Sequence, residues 1–394
     1  MTTRICILGG GFGGLYTALR LNQLAWEPFD RPEIILVDQN DRFLFLPLLY
    51  ELVTGELEIW EVAPPFMELL ASTQVQFLQG TVLKIDTTEK QAHLQDGSSL
   101  PYDHLVLALG GETPLDWVSG AADHALSFRS LNDAYLLEER LKILESKETD
   151  KIRVAVIGGG YSGVELACKL GDRLGDRGRL RILEQGSQIL NASSDFNRNT
   201  AQRSLDSRGI WVDLETRVKA ISTDSLTLEY KGQTDVIPTD LVLWTAGTQV
   251  VSPIKELPFE KNQRGQLITS STLQLASHPE IFAIGDLAAT QDGSGQTLPA
   301  TAQVAYQQAD YVAWNLWAGI TGRPPLPFHY FPLGEMLSLG LDSATLSGLG
   351  LKLEGTPAYV LRRLAYLYRM PTLDHQLKVG FNWITKPLRE LIQG

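Results

Sequence analysis

The sequence predicts an α/β protein with two parallel-sheet units, one inserted into the other, followed by an amphipathic helical segment at the C-terminus. Three observations predict it. A strand, glycine-rich turn, helix, strand and terminal acid stand in that order near the N-terminus. The same arrangement recurs near the middle of the chain, and a late strand returns the chain to its first unit.

Residues 4–8, Arg-Ile-Cys-Ile-Leu, are a short apolar run of buried-strand character. Gly9-Gly10-Gly11-Phe12-Gly13-Gly14 follows, then a helical stretch from Leu15 to Leu24, then a strand Ile34–Val37 that ends at Asp38. The second copy runs through Arg153–Ile157, the turn Gly158-Gly159-Gly160-Tyr161-Ser162-Gly163, a helix Val164–Leu174 and a strand Leu180–Leu183 that ends at Glu184. Each copy is followed by an apolar strand closed by glycine, Tyr102–Gly110 and Asp240–Gly247. A further strand, Ile281–Ile284, runs into Gly285-Asp286 and belongs with the first unit. The expected division is residues 1–119 with 266–330 for the first domain, 120–265 for the inserted second, and 331–394 for a C-terminal region.

Of the 394 residues, 44% are hydrophobic and 20% charged, the balance of an ordinary globular chain. The net charge of −12 argues against a general nucleic-acid binder. Two cysteines, Cys6 in an expected strand and Cys168 in an expected helix, supply no disulfide framework, Cys₄ zinc site or iron–sulfur ligation. The histidines are scattered without ligand spacing, so no metal is expected. Thr2-Thr3-Arg4 leads into the first strand without signal- or transit-peptide character, and no run of about 18 apolar residues exists. A reducing, cytosol-like compartment is the expectation.

The tail differs from the rest. From Pro357 to Gly394 it carries Arg362, Arg363, Arg369, Lys378, Lys386 and Arg389 against Asp374 and Glu390. Apolar residues recur at helical spacing: Leu361, Leu364, Ala365 and Tyr368, then Leu377, Phe381, Ile384 and Leu388. Two basic amphipathic helices separated near Pro371 are expected, docking on a membrane surface with the cations toward anionic headgroups. The other readings of that face are a homodimer interface and a helical cap on the core.

The glycine turns carry the chemistry. In each G-x-G-x-x-G the first glycine permits the tight turn, the second admits a pyrophosphate against the backbone, and the third allows close helix–strand contact. These are Gly9, Gly11 and Gly14, then Gly158, Gly160 and Gly163; the helix N-terminus adds free N–H groups and partial positive charge. Asp38 and Glu184 suit the ribose hydroxyls. Two Rossmann-like sites in one chain suggest FAD held and NAD(P)H exchanged, the nicotinamide giving a hydride to the flavin without a metal. Asp286 suits a flavin ribityl hydroxyl.

With no redox cysteine pair, disulfide reduction is excluded, and the acceptors left are quinone, dioxygen or a one-electron carrier protein. The basic amphipathic tail favours quinone. Gly9–Gly14, Gly158–Glu165, Ala283–Asp286 and the run Pro299-Ala300-Thr301-Ala302-Gln303-Val304-Ala305-Tyr306-Gln307-Gln308 together resemble the type II NAD(P)H:quinone oxidoreductases. The likeness covers nearly the whole chain. It implies a single-subunit, non-proton-pumping FAD enzyme on the cytoplasmic side of a plasma or thylakoid membrane. Within the family it is similar to the cyanobacterial and plastid branch associated with demethylphylloquinone reduction in phylloquinone synthesis, and with plastoquinone.

What the resemblance implies can be given residue by residue. Phe45–Tyr50, with Pro47, and Val53-Thr54-Gly55 pack beside the isoalloxazine. Ala302 and Gln303 present backbone to the flavin pyrimidine, and Gln303 and Gln307 stand at the mouth of the quinone site. Phe12, Gly13 and Gly110 join the FAD site; Tyr161, Ser162 and Gly247 join the NAD(P)H site. Glu165 positions the nicotinamide or supplies a proton, or else only complements the helix N-terminus. The expected reaction is ping-pong: NAD(P)H reduces the flavin and leaves, then quinone departs as quinol. Glu184 favours NADH by repelling a 2′-phosphate, although members of this branch accept NADPH. The rival readings are a reductase of a soluble electron-carrier protein and a low-turnover redox-sensing flavoprotein.

Overall fold

The computed structural model describes residues 2–27, 31–148, 150–291, 295 and 297–393, with side chains described through residue 386. Leu388, Arg389 and Glu390 of the tail lie outside the described side chains.

The apolar run Arg4–Leu8 forms the middle of a six-stranded sheet because it is hydrophobic on both faces; Ile5, Cys6, Ile7 and Leu8 are fully buried. Spatial order across this sheet is Gln274–Leu275, His278–Ala283, His104–Leu107, Arg4–Leu8, Glu33–Asp38 and Gln76–Gln79, parallel except for the first pair. The late strand thus pairs with the early ones, Ile281 opposite Leu105. A second, five-stranded parallel sheet takes Trp211–Asp213, Gly178–Leu183, Ile152–Ile157, Leu241–Trp244 and Leu126–Ser127 in that order. The chain segments that join the two sheets lie side by side, Gly111–Glu112 pairing with Gln249–Val250.

The two glycine turns lead straight into helices, Phe12–Gln23 and Tyr161–Leu174. Both begin three residues earlier than the apolar periodicity suggests, because Gly13, Gly14, Ser162 and Gly163 already lie within the first turn. The Phe12–Gln23 helix packs along Ala302–Ile320, with Tyr16 edge-on to Tyr306 at 4.7 Å and Arg20 paired to Asp310 at 2.6 Å.

Periodicity and spacing predict no elements for residues 331–355. They form a three-stranded antiparallel sheet, Glu335–Ser338, Ala344–Gly348 and Leu351–Gly355. Buried Asn197 binds it to the second unit, donating to Glu335 and Ser347 at 2.8 Å each and accepting from Thr345 at 2.8 Å.

The tail helices are Thr356–Tyr368 and Leu373–Gln393. Among the described residues, no helix is long and apolar enough to cross a membrane. Glu61, fully buried, anchors the second helix by accepting from Trp383 at 2.9 Å and Asn382 at 3.2 Å. The outward face is apolar: Leu377 is 65% exposed, Phe381 65% and Ile384 69%. The expected orientation of the cations needs correction. Arg362 is fully buried against Glu51, and Arg363 is sandwiched between the Tyr359 and Trp383 rings. A guanidinium taken out of water needs a carboxylate or a ring face, and the first unit supplies a carboxylate while the tail helices supply the rings. Neither is presented to headgroups.

Candidate functional site

At the carboxyl ends of the first sheet's strands lies a cleft of about 550 Å³ that runs from Gly9–Gly13 and Asp38 past Ala108–Gly111 to Ile284–Asp286 and Ala302. Gly9 holds φ +105°, and a Cβ there would meet the Ala108 carbonyl oxygen at 2.2 Å; a Cβ on Gly14 would lie 1.7 Å from the Gly9 oxygen. Both are glycine for the fold. Gly11 is different: its φ is −72° and a Cβ would meet nothing within 4 Å. The second copy repeats the contrast. Gly158 has φ +107° and Gly163 would place a Cβ 1.9 Å from the Gly158 oxygen, whereas Gly160, at φ −77°, opens on empty space. The backbone does not require glycine at 11 or 160, and both leave open space in which a pyrophosphate can approach the main chain.

Neither helix start has a side-chain cap, so its N–H groups and partial positive charge face the turn. The acid ending each second strand braces the turn from the other side. Asp38 accepts from the Gly10 N–H at 2.6 Å, and Glu184 accepts from the Gly159 and Gly186 N–H groups at 2.7 and 2.6 Å. Tyr161, Glu184, Gly159 and Gly160 border a second pocket of about 470 Å³. The residues of both turns therefore fit an adenine dinucleotide.

At the far end of the first cleft, Gly285 (φ +74°) donates its N–H to Gln308 at 2.8 Å, and buried Gln308 donates in turn to Thr290 at 2.9 Å. That pair fixes the turn presenting Asp286. Asp286 itself is engaged by Arg129 at 2.6 Å, and Arg129 also reaches Thr248 at 3.0 Å. Gly110 (φ +69°) and Ala302 line the same cleft. Gly247 (φ +79°) backs onto the Trp117 ring. Leu46, rather than Pro47, faces the cleft; Pro47 turns its carbonyl to Arg362 at 2.8 Å.

Gln303 and Gln307 are not free amides. Gln303 accepts from the Tyr330 hydroxyl at 2.5 Å and the Leu333 N–H at 3.2 Å, and donates to the Gly334 carbonyl at 3.2 Å. Gln307 holds both backbone groups of Phe331 at 2.9 Å. Both glutamines staple the 330–334 segment over the start of the Ala302–Ile320 helix.

Glu165 sits on the second turn's helix, with its neighbour Ser162 hydrogen-bonded to buried Tyr50 of the Leu46–Leu52 turn. Its carboxylate accepts from the Ser338 N–H at 2.7 Å and lies 3.5 Å from Arg362. Burial pushes its pKa up to about 7, against the pull of Arg362 and the Ser338 N–H, with Glu51 pushing the same way as burial. Glu51 is held the other way: burial would raise it, but Arg362 and Lys169 together bring it below the usual carboxylate range. A buried acid whose pKa lies near neutrality can hold and release a proton; Glu165 itself lines neither of the two clefts and is reached through Ser338 and Arg362.

Sequence reasoning missed Arg129, Glu51, Ser338 and the inward role of Arg362. Each acts across more than 100 residues of chain, and none has a periodic or spaced signature.

A family model described as pyridine nucleotide-disulphide oxidoreductase matches residues 3–309. Demethylphylloquinone reductase NdbB of Synechocystis sp. is 58% identical over 395 residues, covering 99% of this chain and 98% of that one. An alternative NAD(P)H-ubiquinone oxidoreductase C1, chloroplastic/mitochondrial, of Arabidopsis thaliana is 42% identical over 418 residues, covering 97% of this chain and 80% of its own. An NDH2 of Plasmodium falciparum solved in complex with NADH shares the fold, with a TM-score of 0.86 at 17% identity over 98% of both chains. Cys6 and Cys168 are buried in separate units, so the fold is carried here without a redox cysteine pair. The chain belongs to the pyridine nucleotide-disulphide oxidoreductases and, among them, to the type II NAD(P)H:quinone oxidoreductases.

Proposed function

We propose that this oxidoreductase binds FAD in the first cleft and NAD(P)H in the second, and passes two electrons to a membrane naphthoquinone of the demethylphylloquinone type or to plastoquinone. The balanced reaction is NAD(P)H + H⁺ + quinone → NAD(P)⁺ + quinol. The observation that carries this reading is the doubled cradle, in which Gly11 and Gly160 leave space that the fold itself does not use. A flavin supplies a two-electron carrier between nicotinamide and quinone.

In this reading residues 1–119 with 266–330 form the FAD domain, 120–265 the NAD(P)H domain, and 331–394 the membrane and quinone-access region. Gly9, Gly11 and Gly14, with Phe12 and Gly13, hold the FAD pyrophosphate, Asp38 the adenosine ribose, Asp286 a ribityl hydroxyl, and Gly110 and Ala302 the ring end. Gly158, Gly160 and Gly163 take the NAD(P)H pyrophosphate, and Glu184 its ribose. Glu165 delivers one of the protons that quinol formation consumes, its O–H bond breaking as the quinol O–H forms. The outward apolar face of the tail helices supports peripheral attachment to a bilayer, and two free, buried cysteines support its cytoplasmic side. Glu184 favours NADH, and Arg181 offers no counter-charge: it pairs with Asp213 at 3.1 Å and lies over Trp211.

The test is steady-state oxidation of NADH and NADPH by the flavin-loaded protein against a panel of naphthoquinones and benzoquinones. Parallel double-reciprocal lines, and a kcat/KM for NADH about tenfold above that for NADPH, are expected, a difference of roughly 1.4 kcal/mol. Absence of nucleotide oxidation with every quinone would sink the reading. Rapid bleaching of the flavin by nucleotide without quinone turnover would favour a redox sensor.

A further inference from the structure

We propose that Arg362 and Glu51 are the positioning residues of the Glu165 carboxylate, so that the tail helix takes part in the proton chemistry as well as in docking. The proposal rests on the reading of Glu165 as proton donor given above.

The geometry is a three-part junction. Arg362 projects from Thr356–Tyr368, on the side opposite exposed Leu361, Leu364 and Tyr368, into a fully buried position. One amine of its guanidinium bonds Glu51, and the other donates to the Pro47 carbonyl at 2.8 Å, so both ends are pinned to the Leu46–Leu52 turn. Its face lies over the Tyr366 ring, 4.8 Å from the centroid. From there the second amine stands 3.5 Å from Glu165, which the second unit contributes. One buried cation thus serves two buried carboxylates. Glu51 holds it by a direct hydrogen bond, and Glu165 feels it through the longer contact.

That inequality gives the two acids different jobs. Glu51, tightly paired, stays ionised; Glu165, loosely paired, is left able to titrate. Its other ionisable neighbours do not supply an equivalent charge. Lys169, one turn along the same helix, pulls in the same direction as Arg362 but more weakly and is turned to Glu56, while Tyr50 and Tyr366 are neutral phenols whose ionisation burial opposes. Tyr161 and Cys168 on its own helix are likewise held neutral by burial. Ser338 contributes only an N–H. The charge balance at Glu165 therefore turns on Arg362 and Glu51, and they act with opposite sign.

The test uses full-length, flavin-loaded protein and the pH profile of quinone reduction in single-turnover mixing. Arg362→Met removes the cation and is expected to move the midpoint up by about one pH unit or more. Glu51→Gln removes an anion while freeing Arg362 for Glu165, and is expected to move it down by a similar amount. Arg362→Lys restores the wild-type midpoint in part. Bleaching of the flavin by NADH is followed in parallel as the step that draws no proton from Glu165, and the positioning role is read from the midpoint of the quinone step. Midpoints that stay at the wild-type value, or that move in one direction for both charge removals, overturn the proposal. If Arg362→Met does not fold, the near-isosteric Glu51→Gln decides the question alone: a downward midpoint supports the proposal, and an unmoved or upward one overturns it. Glu165→Gln separates the two levels. If it keeps the wild-type profile, the donor reading itself fails. If it abolishes the pH limb while Arg362→Met leaves the wild-type midpoint in place, the positioning role alone fails.

Discussion

Gly11 and Gly160 differ from the other turn glycines in a way that a substitution can read. Their φ values are ordinary for any L-residue and their missing side chains point into open space. Gly160→Ala should therefore fold as well as the parent, with a melting temperature within a degree or two, yet raise the KM for NADH at least about tenfold as the methyl displaces the pyrophosphate. Gly163→Ala should instead lower the melting temperature, because its Cβ would fall 1.9 Å from a backbone oxygen. Equal thermal losses for the two would remove the distinction. The order within each motif already assigns the second glycine to the pyrophosphate and the others to the turn and the helix–strand contact, and the space opposite each Cα follows that division. Asp38 and Glu184 are legible for the same reason as the glycines: a strand-end acid at a fixed distance follows from local geometry. Arg129 and Glu51 are illegible because their partners come from distant parts of the chain.

Periodicity finds both tail helices and their division near Pro371, yet it places Arg362 and Arg363 on the wrong face, while Lys378 stays exposed. In a helix lying on a water-soluble body the apolar stripe turns inward and the charges outward. Here Arg362 and Arg363 turn inward, Glu61 holds the second helix from beneath through that helix's own Trp383 and His375, and Leu373, Leu377, Phe381 and Ile384 face out. The inversion suits a helix whose outer side meets lipid, each buried apolar side chain contributing about 1.5–3 kcal/mol. Substituting Leu377, Phe381 and Ile384 together by Gln should reduce co-sedimentation with anionic phospholipid vesicles by at least about tenfold while NADH still bleaches the flavin at the parental rate. Deleting residues 357–394 is a poorer test, since it also removes Arg362. Unchanged sedimentation, with a shift from dimer to monomer in ultracentrifugation, would assign the face to a second copy of the chain.

At the scale of the whole molecule, the doubled α/β plan, the returning strand and the helical tail are all readable, because each repeats a local pattern. What the sequence conceals is the place where the three parts meet. Glu165 comes from the helix after the second glycine turn, Glu51 from the first unit, Arg362 from the tail and Ser338 from the small C-terminal sheet, and the four converge only when every part is folded. A carboxyl buried at that junction has a consequence for stability as well as for chemistry. Its proton affinity is ordinary in the unfolded chain, near 4.5, and is pushed up to about 7 in the fold. Between those values the folded state binds more protons than the unfolded one, so this group's contribution falls as pH rises from about 5 to above 7. The largest loss is about 3 kcal/mol, reached once both states are ionised. Gln, shaped like the protonated acid, escapes it. In thermal melts Glu165→Gln should match the parent at pH 5 and exceed it at pH 8, with the difference opening across the intervening range. A difference that is constant between pH 5 and 8 would mean that Glu165 keeps the same charge throughout, and the proton-holding role would go with it.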